Sequence, residues 1–158
     1  MKDFLIKFLN KKRERTLKEL SFKNIQQDTN ISEIFSAINS FNNESEIRYV
    51  GGCVRKILND EKFDDIDLAT NLNPQEIKVV LEKNRINYFE TGLEYGTITA
   101  RIGEKNFEIT SLRKDIKTDG RHALVEFTKD WKEDSLRRDF SINSIYSDAD
   151  GNLFDPND

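Results

Sequence analysis

The sequence predicts an α+β fold, a mixed sheet flanked by helices and preceded by a helical segment. Three observations carry this. Apolar residues over the first forty-odd positions recur at helical spacing. From Ile47 onward, short strand-like runs alternate with helical ones across turn formers. Between Thr97 and Leu112, two alternating segments are joined by the polar connection Gly103-Glu104-Lys105-Asn106, which reads as a hairpin and makes at least part of the sheet antiparallel.

Taken in order, Leu5, Phe8, Leu9, Leu17 and Leu20 mark a first helix, and Ile31, Ile34, Phe35 and Ile38 a second, with the polar stretch Gln26 to Asn30 between them. A strand from Ile47 to Val50 runs into Gly51-Gly52 and then into a helix with the apolar stripe Val54, Ile57 and Leu58. A second strand, Ile66 to Ala69, precedes Asn73-Pro74-Gln75-Glu76, where Asn caps, Pro takes the first helical position and Glu closes a capping box; the helix buries Ile77, Val80 and Leu81. Strands follow around Tyr88, from Thr97 to Ile102 and from Phe107 to Leu112. Arg113 to Arg121 is polar without a period and is expected as a loop; Ala123 to Phe127 reads as a strand, and about Asp134 to Tyr146 as a helix. The last residues, Asp155-Pro156-Asn157-Asp158, are turn formers with no following element, which fits a natural end in a loop or a piece of a longer protein. Residues 1–45 are read as a helical extension and 46–158 as one domain.

Composition narrows the chemistry. The 158 residues have room for one ordinary domain. A single cysteine, Cys53, excludes an intrachain disulfide framework, and with a single histidine, His122, any metal must be held by oxygen ligands. No apolar run is long enough to span a membrane, and the N-terminus resembles neither a signal nor a transit peptide, so no membrane is involved and the cytoplasm is the expected compartment. The net charge of −4 is uneven: residues 1–24 carry +5 and the rest −9. The basic end either faces something anionic or is a solvated helix face.

Asp65-Ile66-Asp67 opens the second strand, and alternation puts both carboxylates on one face with Ile66 and Leu68 toward the core. Two acids in one small volume repel unless a cation neutralises them, and Mg²⁺ is the divalent ion that suits oxygen ligands; a solvated strand end is the plain alternative. Gly51 and Gly52 sit between a strand and a helix N-terminus, where free N–H groups attract phosphate, with Arg55 one turn away; a tight turn needing positive φ fits as well. A phosphate-binding turn close to a strand-borne acid pair is what phosphoryl or nucleotidyl transfer needs. Glu108, inside a strand between Phe107 and Ile109, is the first candidate for a third carboxylate, unless it lies on a solvated face. Asp139 is the alternative third acid, Arg138 could meet phosphate or a base edge, and Asn143 lies four residues beyond Asp139, on the same face of the expected helix.

These segments resemble a known family. Tyr49 to Arg55 (YVGGCVR), Asp65 to Thr70 (DIDLAT), Phe107 to Arg113 (FEITSLR), Gly120-Arg121-His122-Ala123 and Arg137 to Ser144 (RRDFSINS) look like the head domain of tRNA nucleotidyltransferases, the CCA-adding enzymes, and of bacterial poly(A) polymerases, from about Tyr49 to Pro156. The resemblance implies a DNA polymerase β-like nucleotidyltransferase fold and template-free addition of CMP and AMP, from CTP and ATP, to a tRNA 3′ end. It also implies Mg²⁺ held by Asp65 and Asp67, nucleotide contacts from Gly52, Arg55 and Arg138, and a mobile loop at Arg113 to Arg121. The chain departs from the family in having Lys56 where Asp is usual and Cys53 where Ala is usual. It also ends before the neck, body and tail domains that select the base and hold tRNA. A poly(A) polymerase head, or a fragment that binds nucleotide and metal without turnover, shares the visible motifs.

Overall fold

The computed structural model describes residues 2–59, 61–119, 122–138 and 141–156. Two helices lead, α1 (Lys2–Thr29) and α2 (Ser32–Asn39), separated at Asn30, whose φ of 55° ends the first. The core elements follow as β1 (Ile47–Val50), α3 (Gly52–Leu58), β2 (Asp67–Thr70), α4 (Pro74–Lys83), β3 (Asn87–Gly92), β4 (Thr97–Ile102) and β5 (Lys105–Ser111). The Asn73–Glu76 capping box forms as expected, each side chain accepting from the other residue's N–H, with Pro74 in the first turn. The β4–β5 turn is tighter than expected: Ile102 pairs with Lys105, leaving Gly103-Glu104 as the whole loop, and Gly103 supplies a positive φ.

Five of these strands and two later ones, β8 (Tyr146–Ser147) and β9 (Leu153–Phe154), form one mixed sheet in the order β3-β4-β5-β2-β1-β8-β9, with β2 and β5 parallel and the other pairs antiparallel. One face carries the main core: Tyr49, Leu68, Phe107 and Ile109 from the strands meet α2, α3, α4 and the end of α1. The long α1 joins this core through Phe22, fully buried with its ring 5.4 Å from that of Tyr49, and through Gln26, whose amide donates to the Tyr49 hydroxyl. The opposite face holds a smaller cluster, Val50, Ala69, Leu112, Trp131 and Tyr146. Period-2 alternation assigns Asp67 and Glu108 to this second face, because Leu68, Phe107 and Ile109 are committed to the first.

Two expectations are corrected. The stretch from Arg113 is not a loop but β6 (Arg113–Asp119), paired antiparallel with β7 (His122–Phe127) as a separate two-stranded sheet. Its strand pattern is invisible in sequence because a register shift between Asp115 and Lys117 breaks the alternation and Ile116 and Leu124 remain exposed. The helix expected from Asp134 to Tyr146 is instead a short α5 (Trp131–Leu136), a 3₁₀ turn (Ser141–Ser144) and β8. Asp130 caps α5 by accepting the N–H groups of Lys132 and Glu133, which moves its start ahead of Asp134, and Tyr146 leaves the helical path to pair with Val50.

Candidate functional site

Parallel pairing of β2 with β5 sets Asp67 directly opposite Glu108. Burial pushes the Asp67 carboxyl above its usual range, Glu108 and then Asp65 add like-charge repulsion, and Arg138 pulls the other way. A carboxylate disfavoured by burial and by two acids is a group that gains from a cation. Asp65 is exposed and precedes β2 rather than opening it, a correction to its expected place in the strand; β1 has already turned into α3 at that level, so the sheet offers it no partner on that side. Ile66 and Leu68 do point into the main core. Among the described residues no three acid, imidazole or thiol groups gather closely enough to hold a metal by themselves. That is compatible with Mg²⁺, which is commonly held by one or two carboxylates and completes its shell with water and substrate phosphate.

Antiparallel pairing of Tyr49 with Leu68 brings the end of β1, and the Gly51-Gly52 turn after it, to the sheet end where β2 begins. Gly51 has φ 75° and ψ −132°, a conformation that essentially requires glycine, and its N–H donates to the Ile145 carbonyl. A Cβ on Gly51 would lie 3.7 Å from the Asn143 carbonyl oxygen, so the 3₁₀ turn bearing Asn143 runs alongside. Over Gly52 nothing lies within 4 Å of the place a Cβ would occupy. Arg55 is half-buried one turn into α3 and makes no side-chain hydrogen bond or ion pair with a described residue. The buried Cys53 Sγ lies 3.4 Å from the Val50 carbonyl oxygen and 3.7 Å from that of Asp67, and burial raises its thiol to about 11. It is an inert tie between the glycine turn and the acid strand.

Arg138 enters the site from the other side, and sequence reasoning missed what holds it. Asp134 is wholly buried and accepts from Arg138 Nε (3.0 Å) and Nη2 (2.9 Å), Arg137 Nε (2.9 Å), the Tyr146 hydroxyl (2.7 Å) and the Arg113 backbone N–H (3.2 Å). Burial alone would raise this carboxyl, but Arg138, Arg137 and the hydrogen bonds hold it below its usual range. The i+3 and i+4 spacing of Arg137 and Arg138 from Asp134 is the signal that could have found the cluster. Asp139, the alternative third acid, lies outside the described residues. The structure thus sets Asp67 opposite Glu108 with Asp65 just ahead of the strand, places the glycine turn, Arg55 and Asn143 at the same end of the sheet, ties Arg138 to Asp134, and ends α5 before Asn143, which does not share a helix with Arg138.

Comparison with known proteins gives consistent matches. The family model described as Poly A polymerase head domain matches residues 47–158. The chain is 42% identical over 142 residues to the CCA tRNA nucleotidyltransferase 1, mitochondrial, of Danio rerio, covering 88% of this chain and 32% of the relative. It is 51% identical over 111 residues to the Homo sapiens protein of the same name, covering 70% of this chain and 26% of the relative. A solved structure, the Bacillus stearothermophilus CCA-adding enzyme in complex with CTP, matches with a TM-score of 0.65 at 27% identity over 80% of this chain and 29% of that chain. The chain therefore spans between about a quarter and a third of the length of these relatives. Among the described residues no helix is long and apolar enough to cross a membrane.

Proposed function

The chain belongs to the family of poly A polymerase head domains, and on that premise we propose that it is the catalytic head of a CCA-adding tRNA nucleotidyltransferase. It would attach CMP and AMP, from CTP and ATP, to the tRNA 3′ end by in-line attack of the terminal ribose hydroxyl on the NTP α-phosphate, breaking the α–β phosphoanhydride bond and releasing pyrophosphate and the hydroxyl proton. Residues 46–158 are assigned as the head and 1–45 as a helical extension packed on its core. The observation that carries the reading is the pairing of Asp67 with Glu108 on parallel strands, at the sheet end that also bears the Gly51-Gly52 turn. Support for the choice of substrate comes from relatives named for CCA addition and from the neighbour solved with CTP.

Each residue's part follows from its chemistry. Asp65 and Asp67 would hold Mg²⁺, with Glu108 as third acid and Asp139 as the alternative. When bound, Mg²⁺ supplies charge stabilisation for the attacking and leaving oxygens of the displacement. The Gly51 turn would present the open backbone of Gly52 to the triphosphate, while Arg55 and Arg138 neutralise its charge and Asn143 lines the same edge. The proposed compartment is the cytoplasm, beside relatives named as mitochondrial. A poly(A) polymerase head is the second reading, favoured by the family's own description; extension of a homopolymer primer in place of tRNA would select it.

The test is Asp65→Ala and Asp67→Ala in the intact protein, with the fold checked by circular dichroism. Mg²⁺-dependent transfer should be abolished in both with the fold retained. Activity within a few-fold of the parent in either variant removes the assignment.

A further inference from the structure

Asp134 is the buried ionised group that the proposed function leaves unused. Its two oxygens are saturated by five donors arriving from α5's end, β6 and β8. A fold that needed only packing at this point would be served as well by an apolar side chain, since exchanging a buried ion pair for well-packed apolar groups is often neutral or stabilising. What an apolar residue could not do is orient guanidiniums. Arg138, only 17% exposed, gives two of its N–H groups to one oxygen of Asp134, and its ring-facing side lies 5.6 Å from the centre of Tyr146. Tyr146 pairs with Val50 of β1, the strand that also pairs with the β2 of Asp67, and Val50 and Tyr146 pack together on the face of the sheet that carries Asp67. Arg137, 13% exposed, is fixed by the other oxygen.

We propose that Asp134 is a positioning residue: it holds the Arg138 guanidinium, with Arg137 beside it, over the face of the sheet that carries Asp67 and Glu108, so that Arg138 meets the triphosphate in one orientation. Tyr146 is the brace of this arrangement, donating to the same oxygen that holds Arg138. Within the cluster two guanidiniums share one carboxylate, so each long side chain is kept from wandering and neither is fully neutralised by Asp134. The inference rests on the nucleotidyltransferase reading for the identity of that ligand.

The experiment is a double-mutant cycle on the intact protein with Asp134→Asn, Arg138→Ala and the pair, reading ATP affinity in Mg²⁺ by calorimetry and the fold by thermal unfolding. Asp134→Asn keeps the shape of the side chain and removes the charge. Arg138→Ala should weaken ATP binding about tenfold or more, the loss of a charge-assisted hydrogen bond. Asp134→Asn should cost a comparable factor, and the pair should bind no worse than Arg138→Ala alone, within about twofold. A merely structural Asp134 would lower the melting temperature while its binding effect multiplied with that of Arg138→Ala, and that product overturns the proposal, as does parental affinity in Asp134→Asn. Should Asp134→Asn fail to fold, Tyr146→Phe decides: a loss of affinity that vanishes in the Arg138→Ala background supports the proposal, and unchanged affinity overturns it. Parental affinity in Arg138→Ala would instead remove the arginine from the proposed function itself.

Discussion

The two glycines at the head of α3 look alike in sequence and should behave in opposite ways when each is replaced by alanine. At Gly51 space is not the obstacle, since the nearest atom to an added Cβ would be the Asn143 oxygen at 3.7 Å. The obstacle is the backbone, whose φ of 75° and ψ of −132° cost a non-glycine residue about 1–3 kcal/mol. For a chain of this size each kcal/mol lowers the midpoint by about 2–4 °C, so Gly51→Ala should melt about 2–12 °C below the parent. Gly52 has no such strain, and nothing within 4 Å opposes a Cβ. Gly52→Ala should therefore stabilise by about 0.4–1 kcal/mol through the lost freedom of the unfolded chain. If the open space over Gly52 is where phosphate approaches the backbone, the same methyl should weaken ATP binding in Mg²⁺ about tenfold, the loss of roughly one hydrogen bond to a charged group. Thermal unfolding and calorimetric titration of both variants separate the two effects. A Gly52→Ala protein that binds ATP like the parent would refute phosphate contact at this turn, and a Gly51→Ala protein melting within about 1 °C of the parent would refute the strain argument.

Asp67 should make the metal-free protein less stable as pH rises. Its folded-state pKa lies above the unfolded value, so the carboxylate opposes folding once ionised and relaxes as pH falls through the raised pKa. Asp67→Asn should thus melt above the parent at pH 7 without metal and converge with it in acid, whereas Mg²⁺ should raise the midpoint of the parent alone; equal metal-free midpoints at pH 7 would contradict this. Asp134 carries the opposite sign, its lowered pKa giving stability that is present above the unfolded value and lost as pH falls through the folded one, so Asp134→Asn should flatten the acid limb of the parent's stability curve. Glu108→Gln should cut kcat sharply, as a group in the metal shell would, while Asp139→Asn should mainly raise KM; the reverse pattern transfers the third carboxylate to Asp139. CTP, ATP, GTP and UTP should bind this chain with affinities within about threefold of one another, because Arg138, turned to the triphosphate, has donors only and no acceptor for the amino group of C or A; a preference of about tenfold for CTP and ATP would place base-reading groups within these residues.

What the sequence could disclose depended on how local each cause is. The capping box at Asn73 and Glu76 and the β4 strand from Thr97 to Ile102 follow from residues within a few positions of one another, and the structure has them where the pattern puts them. Glu108 was identifiable as an acid in a strand interior, but its place opposite Asp67 depends on a parallel pairing reached across α4, β3 and β4, which no local period records. The β7 strand was legible from Ala123 to Phe127, but its partner β6 escaped because a register shift between Asp115 and Lys117 breaks the alternation and Ile116 stays exposed. Asp134 shows the same division inside one side chain. The i+3 and i+4 spacing to Arg137 and Arg138 is local, and that spacing by itself produces only a surface pair such as Arg15 with Glu19, 3.0 Å apart and exposed. Tyr146 and the Arg113 amide come from strands in two different sheets, and only with them does the carboxylate have enough donors to be buried in its charged form.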